Sequence, residues 1–247
     1  MNRVCLPMFV ILCAVLSFAA DGKTVSYKSG DETVQALIYA PAGKGPFPAL
    51  VVIHEWWGLN DWVKDQASKL ADQGYVALAV DLYRGKVAAT PDIAHELARG
   101  LPEDRAKRDL HAAVEFLQSQ TNVNKDRIGS IGWCMGGGYS LDVALQEPSL
   151  AAGVINYGHL ATDPDALQKI NAPILGLFGG QDHGITPDDV HKFEQALQKL
   201  GKKVEIKIYA DAGHAFENPN NKDGYRAADA ADAWQRTISF LAENLKK

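Results

Sequence analysis

The sequence predicts an α/β fold with a mainly parallel central sheet flanked by helices on both faces. Three observations carry that expectation. Apolar runs such as Ala49-Leu50-Val51-Val52-Ile53 contain no polar residue, as a strand buried on both faces requires. These runs alternate with segments of helical apolar spacing, for example Val190, Phe193, Leu197 and Leu200. No repeat, low-complexity tract or linker divides residues 21–247, so a single domain is expected there.

Taken in order, Thr24–Lys28 and Val34–Ala40 read as two opening β runs, followed by a Pro/Gly-rich loop from Pro41 to Pro46 and the strand Ala49–Ile53. Val63, Ala67, Leu70 and Ala71 share one helical face, and Tyr75–Val80 is the next strand. A helix is expected over residues 104–118, with Ala113, Val114 and Leu117 inward, and then the strand Ile128–Trp133. A helix over 136–146, the strand Gly153–Tyr157, a short helix near 165–170 and the strand Ile174–Phe178 follow. The helix marked by Val190 to Leu200 leads to the strand Val204–Tyr209. Trp234, Ile238, Leu241 and Leu245 mark an amphipathic closing helix. In such sheets the ligand crevice lies at the carboxyl ends of the strands, so the residues just after each strand are the candidates for function.

Composition excludes several classes. Apolar residues make up 47% and charged residues 22% of the 247, which suits a globular core and excludes disorder. The formal charge of −5, with no Lys/Arg cluster, argues against nucleic-acid binding. At the N-terminus, Arg3 precedes an uncharged stretch from Val4 to Ala20, and Ser17-Phe18-Ala19 has the small-x-small form of a cleavage site. Residues 1–20 therefore read as a secretory signal peptide, with an uncleaved anchor as the alternative, and the mature protein as periplasmic or secreted. Cleavage removes Cys5 and Cys13 and leaves Cys134 without an internal disulfide partner, so its thiol is either buried and inert or does chemistry.

The chemistry centres on that cysteine. Ile128–Ile131 runs into Gly132-Trp133-Cys134-Met135-Gly136, a G-x-S-x-G nucleophile elbow with cysteine in the serine position. A nucleophile on so sharp a strand-to-helix turn crowds its neighbours, hence the flanking glycines. The turn also sets the thiol at a helix N-terminus, which favours a thiolate. Asp182 follows the strand Ile174–Phe178, and His214 follows the strand ending at Tyr209. The chain order nucleophile, acid, histidine is that of the α/β-hydrolase fold. His214 would serve as base and then acid, with Asp182 holding its tautomer. Glu55, at the end of a buried strand beside Trp56 and Trp57, is partly desolvated and so a good proton acceptor. Trp57, Tyr83, Trp133, Phe216 and His159 are candidates to line the pocket. His95, His111, His183 and His191 lack metal-ligand spacing, no histidine follows His54-Glu55 as a zincin would need, and Gly129–Gly132 lacks dinucleotide-binding spacing.

Five segments together resemble the dienelactone hydrolase family: His54-Glu55-Trp56-Trp57-Gly58, Asp81-Leu82-Tyr83-Arg84-Gly85, Gly132 to Gly137, Gly180-Gln181-Asp182 and Gly213-His214-Ala215-Phe216. The resemblance spans about residues 25 to 245. It implies a Cys134-His214-Asp182 triad, a role for Glu55 in activating the thiol, and an oxyanion hole made by the Trp56 and Met135 backbone N–H groups. It also implies two arginines for a substrate carboxylate. The first falls on Arg84 or Lys86, one residue to either side of the family position, and the second position is Asn218, which cannot form a charged fork.

The expected function is hydrolysis of small carboxylic esters or lactones through an acyl-thioester, with no metal or organic cofactor. The expected partner is the small-molecule substrate alone, with no nucleic acid, no stable membrane insertion after signal cleavage, and a monomeric state. A broad carboxylesterase or peptide-cleaving hydrolase on the same fold is one alternative, and a ligand-binding or thiol redox-sensing protein is another.

Overall fold

The computed structural model describes residues 22–247, so the signal peptide expected over residues 1–20 lies outside it. Eight strands form one sheet in the order β1-β2-β4-β3-β5-β6-β7-β8. They are β1 (Lys23–Ser29), β2 (Glu32–Tyr39), β3 (Phe47–Ile53), β4 (Val76–Val80), β5 (Val123–Trp133), β6 (Ala152–Asn156), β7 (Ile174–Gly179) and β8 (Val204–Tyr209). β1 and β2 pair antiparallel, as do β2 and β4, and every later pairing is parallel.

Seven helices complete the chain: α1 (Asp61–Asp72), α2 (Pro91–Arg99), α3 (Glu103–Ser119), α4 (Met135–Gln146), α5 (Pro164–Leu167), α6 (Pro187–Lys199) and α7 (Ala227–Leu245). Side-chain caps set several of their starts. Asn60 accepts from the Val63 N–H at 3.2 Å, and Thr186 accepts from the Asp189 N–H at 3.3 Å with Pro187 behind it. The helix α2 was not anticipated. Only Ala94 of its residues is fully buried, although Ala94, Leu97 and Leu101 do recur at helical spacing. The Thr90-Pro91 cap is the signal that marked it. In α7 the buried face holds Ala233, Thr237, Phe240, Leu241 and Leu245, so Leu241 and Leu245 of the expected stripe enter the core while Trp234 and Ile238 flank it, partly buried.

The sheet divides the core in two. Val51 and Ile53 of β3 pack with α3, α4 and α6 through Leu110, Leu141 and Phe193. Leu50 and Val52 point the other way, toward Leu70 of α1 and Leu241 of α7. A strand covered on both faces reads as a continuous apolar run, which is why β3 and β4 were legible. Between β3 and β5 the winding reverses: β3 leads to β4 on one side, while β5 and its successors build outward on the other. In open α/β sheets that reversal opens a crevice at the strand carboxyl ends, and here Glu55 and Cys134 flank it.

Candidate active site

Cys134 stands between β5 and α4 with φ 55° and ψ −120°, a backbone state that residues with a Cβ rarely adopt. The surroundings hold it there. Its N–H donates to the Asn156 carbonyl at 3.0 Å, and the Asn156 side chain returns a bond to the Gly132 carbonyl at 2.9 Å. A Cβ on Gly132 would collide with the Gly136 carbonyl, and one on Gly136 with the Ile53 carbonyl. Only glycine at both positions lets strand and helix meet so tightly. Met135 opens α4, so its N–H belongs to the first helical turn, whose donors have no partner inside the helix.

His214 and Asp182 meet beside that elbow. His214 Nδ1 lies 2.7 Å from Asp182 Oδ2. The other carboxylate oxygen, Oδ1, accepts the Gly184 N–H at 2.8 Å and the Ile185 N–H at 3.0 Å. Burial pushes the Asp182 carboxyl up, but the His214 bond and these N–H donors outweigh it and hold it below the ordinary range. Burial pulls the imidazole down, while the Asp182 bond and a hydrogen bond with Cys134 prevail and raise it to about 10. Both effects favour a protonated ring beside the Asp182 carboxylate. The far side of the ring faces the cavity, with 41% of the side chain exposed.

Glu55 is buried at the end of β3, and Asn218 Nδ2 donates to its Oε2 at 2.7 Å. Desolvation raises the Glu55 carboxyl to about 7, against the Asn218 bond and the attraction of His214. Tyr157, fully buried with φ 37°, sets its ring 5.2 Å from that of His214 and its hydroxyl beside Glu55. His54 anchors the Glu55 backbone: its Nδ1 lies 2.6 Å from the Glu55 carbonyl, and its Nε2 accepts the Leu82 N–H at 3.3 Å. Burial lowers the His54 pKa, which keeps this ring neutral and its two bonds compatible.

A cavity of about 740 Å³ opens onto these groups. Cys134, His214, Glu55, Trp56 and Trp57 line it, together with Asn218 and the segment Asn220–Asp223. Trp56 also packs edge-on against His95 of α2, with ring centroids 4.7 Å apart, so the unanticipated helix supports one wall. Of the five expected pocket residues, Trp57 lines this cavity and the other four lie elsewhere. Trp133 is fully buried against Trp62, Phe216 packs between Tyr157 and Tyr209, and Tyr83 is buried with its hydroxyl donating to Met135 Sδ at 3.3 Å. His159 lines a separate cavity of about 530 Å³ beside Met135.

Arg84 also lies outside the cavity. Its Nη2 is 2.7 Å from Glu32 Oε2 and 2.7 Å from Asp109 Oδ2. The turn explains the direction: Asp81 accepts the Tyr83 N–H at 3.0 Å and the Gly85 N–H, which forces Arg84 to φ 56° and turns its side chain toward β2 and α3. Lys86 lies in the same region, away from Cys134. The Asp81–Gly85 segment thus serves here as a structural turn.

The sequence offers Asn218 only as an arginine position left neutral, and no local motif marks Tyr157 or Asn156. The signal for the latter two was their place at the end of β6, a strand adjoining β5. Among the described residues no group of three or more His, Cys, Asp and Glu side chains converges as a metal site would require. Chemically, the arrangement offers a thiol, a base oriented by a carboxylate, and a second carboxyl poised near neutrality.

A nucleophile elbow at the C-terminal edge of this sheet defines a hydrolase of the α/β-hydrolase fold. The family model for the dienelactone hydrolase family matches residues 34–245, and the chain belongs to that family. It is a hydrolase acting on ester or lactone bonds. A Methylorubrum extorquens protein provisionally named a carboxymethylenebutenolidase is 35% identical over 227 residues, covering 86% of this chain and 78% of that protein. A solved structure from Klebsiella pneumoniae, provisionally named a dienelactone hydrolase, is 29% identical with a TM-score of 0.83, covering 92% of this chain and all of that one. The acylaminoacyl peptidase of Pyrococcus horikoshii, 18% identical with a TM-score of 0.77, shares the fold over 93% of this chain and 42% of its own.

Proposed function

We propose that this chain cleaves small carboxylic esters or lactones that carry no carboxylate of their own, through an acyl-thioester on Cys134. The observation that carries the reading is the meeting of Cys134, His214 and Asp182 from three separate strand ends, with Cys134 and His214 lining one cavity and Asp182 behind the imidazole. His214 takes the Sγ proton, and the thiolate attacks the carbonyl carbon. The backbone N–H groups of Trp56 and Met135 receive the developing oxyanion. The C–O bond breaks as His214 returns the proton to the leaving oxygen. Water then attacks the thioester with His214 as base, releasing the acid and restoring the thiol. Glu55, in its ionised form, is a second proton acceptor behind the sulfur and helps to activate it. Trp57 supplies an apolar wall.

The charge of the cavity supports the substrate class. Among the described residues its acids are Glu55 and Asp223, its only lysine is Lys222, and no arginine lines it. A substrate carboxylate would find no bidentate partner there. The residues from 21 onward would act as one domain and as a monomer, exported by the segment 1–20. N-terminal sequencing of the protein recovered from the periplasm or medium tests the export. The test of activity is a panel of neutral and anionic esters and lactones, with Cys134→Ala as control. Turnover of neutral members that the variant loses supports the proposal, and undiminished turnover in the variant refutes it.

A further inference from the structure

Directly behind the candidate site lies an acid to which the hydrolytic steps assign no part. Glu217 sits three residues after His214 and immediately before Asn218, and its carboxyl is turned inward. Its Oε2 accepts the indole N–H of Trp133 at 3.3 Å, and Trp133 is the residue immediately before Cys134. Its Oε1 is shielded from solvent and has no hydrogen-bond partner. Glu217 therefore joins the elbow to the loop that carries both His214 and the Asn218 amide on Glu55.

Two acids with shielded carboxyls thus stand on either side of the elbow, Glu55 toward the catalytic cavity and Glu217 behind it. Glu55 lies within electrostatic reach of Glu217, and among the described residues no lysine or arginine pairs with either carboxyl. Like charges in such surroundings oppose each other's ionisation, so one of the two acids holds its proton more firmly. The partners decide which acid keeps it. Glu55 has the shorter bond, from Asn218, and faces the His214 ring, whereas Glu217 has one longer bond and an orphaned oxygen. An unpartnered carboxylate oxygen in a dry site is costly as an anion. Desolvation, with the charge of Glu55 adding to it, raises the Glu217 carboxyl to about 8.

We propose that Glu217 is a positioning residue for the hydrolytic site: it holds a proton between elbow and His214 loop, braces the two through Trp133, and leaves Glu55 as the ionised carboxyl behind Cys134. The role assigned to Glu55 rests on the function proposed above. The other titratable groups around Glu217 are Tyr157 after β6 and Tyr209 of β8. Across a groove of about 420 Å³ between α1 and α7 stand Asp65, Lys69 and Tyr225. Glu217 lines that groove, which gives its proton a route to solvent that avoids the catalytic cavity.

The test compares Glu217→Gln and Glu217→Ala with the wild type. Glutamine mimics the protonated acid and keeps an acceptor for Trp133, so it is expected to retain at least half of the wild-type kcat/KM at pH 7. Alanine leaves the indole N–H unpaired and should lower kcat at every pH. Above pH 8 the wild type gains a second buried anion that opposes thiolate formation, so E217Q should become the faster enzyme, by about three- to tenfold near pH 9.5. Infrared difference spectra give a readout independent of turnover: a protonated-carboxyl band that titrates near pH 8 in the wild type and is lost in E217Q. Superimposable pH profiles, an infrared band unchanged in E217Q, or a loss in E217Q as deep as in E217A at pH 7 would each overturn the proposal.

Discussion

Asn218 donates its side-chain amide to the Glu55 carboxylate over 2.7 Å, joining residues 163 positions apart. At this position the family resemblance led us to expect an arginine for a substrate carboxylate, and the neutral amide is instead spent on an internal acid. With Arg84 held by Glu32 and Asp109, neither expected arginine position presents a free cation to the cavity. The same two facts shape the substrate class proposed here and the behaviour of Glu55.

Replacing the nucleophile is the first test. Cys134→Ala should abolish ester turnover, and Cys134→Ser should lower kcat by about two orders of magnitude or more, because the pocket is shaped for a larger and more acidic atom. Steady-state kinetics on a neutral ester measures both, and near-wild-type kcat in C134S would show that sulfur is not required.

The acid limb of kcat/KM should fall near pH 7, where burial places the Glu55 carboxyl. Activity depends on the ionised form, so it rises as pH increases through that value. Asn218→Leu removes a bond that favours the anion, which should move the limb to higher pH and lower neutral-pH activity about threefold to tenfold. A pH–rate profile of the variant that overlays the wild type would disconnect Asn218 from Glu55.

Stability should decline as the solution is made alkaline. Glu55 and Glu217 are raised on folding, to about 7 and about 8, so each stabilises the fold fully below its unfolded value of 4.5 and ceases to do so as pH rises through the folded value. His214, raised to about 10, has the same sign from 6.5 upward. Asp182, lowered, has the opposite sign and acts only in acid. By these shifts Glu55 contributes about 3 kcal/mol and Glu217 about 5 kcal/mol to this trend. Thermal melts from pH 5 to pH 9 should show a falling Tm, flatter in Glu217→Gln, and a Tm that climbs over this range would contradict the assignment.

Arg84→Ala should leave kcat/KM within about twofold of wild type while destabilising the fold by about 3 kcal/mol, because it strands the buried Asp109 carboxylate. Denaturant unfolding and kinetics on the same preparation separate the two effects. A selective rise in KM for an anionic ester would restore Arg84 to substrate binding.

The sequence alone determined the architecture and the chemical vocabulary. Strands covered on both faces must be apolar throughout, so β3, β4, β6 and β7 declared themselves, and the glycines around Cys134 declared the elbow because no larger residue fits there. Cys134, Asp182 and His214 were legible because a parallel sheet collects whatever follows its strands at one edge. Helix α2 is short and mostly exposed, with only Ala94 fully buried, so its burial was settled by tertiary packing. Only the tertiary structure decided where side chains point: Arg84 away from the cavity, Trp133 and Phe216 into the core, Asn218 onto Glu55 and Glu217 behind both. Direction and desolvation arise from contacts between distant segments, and a local pattern of residues carries no record of them.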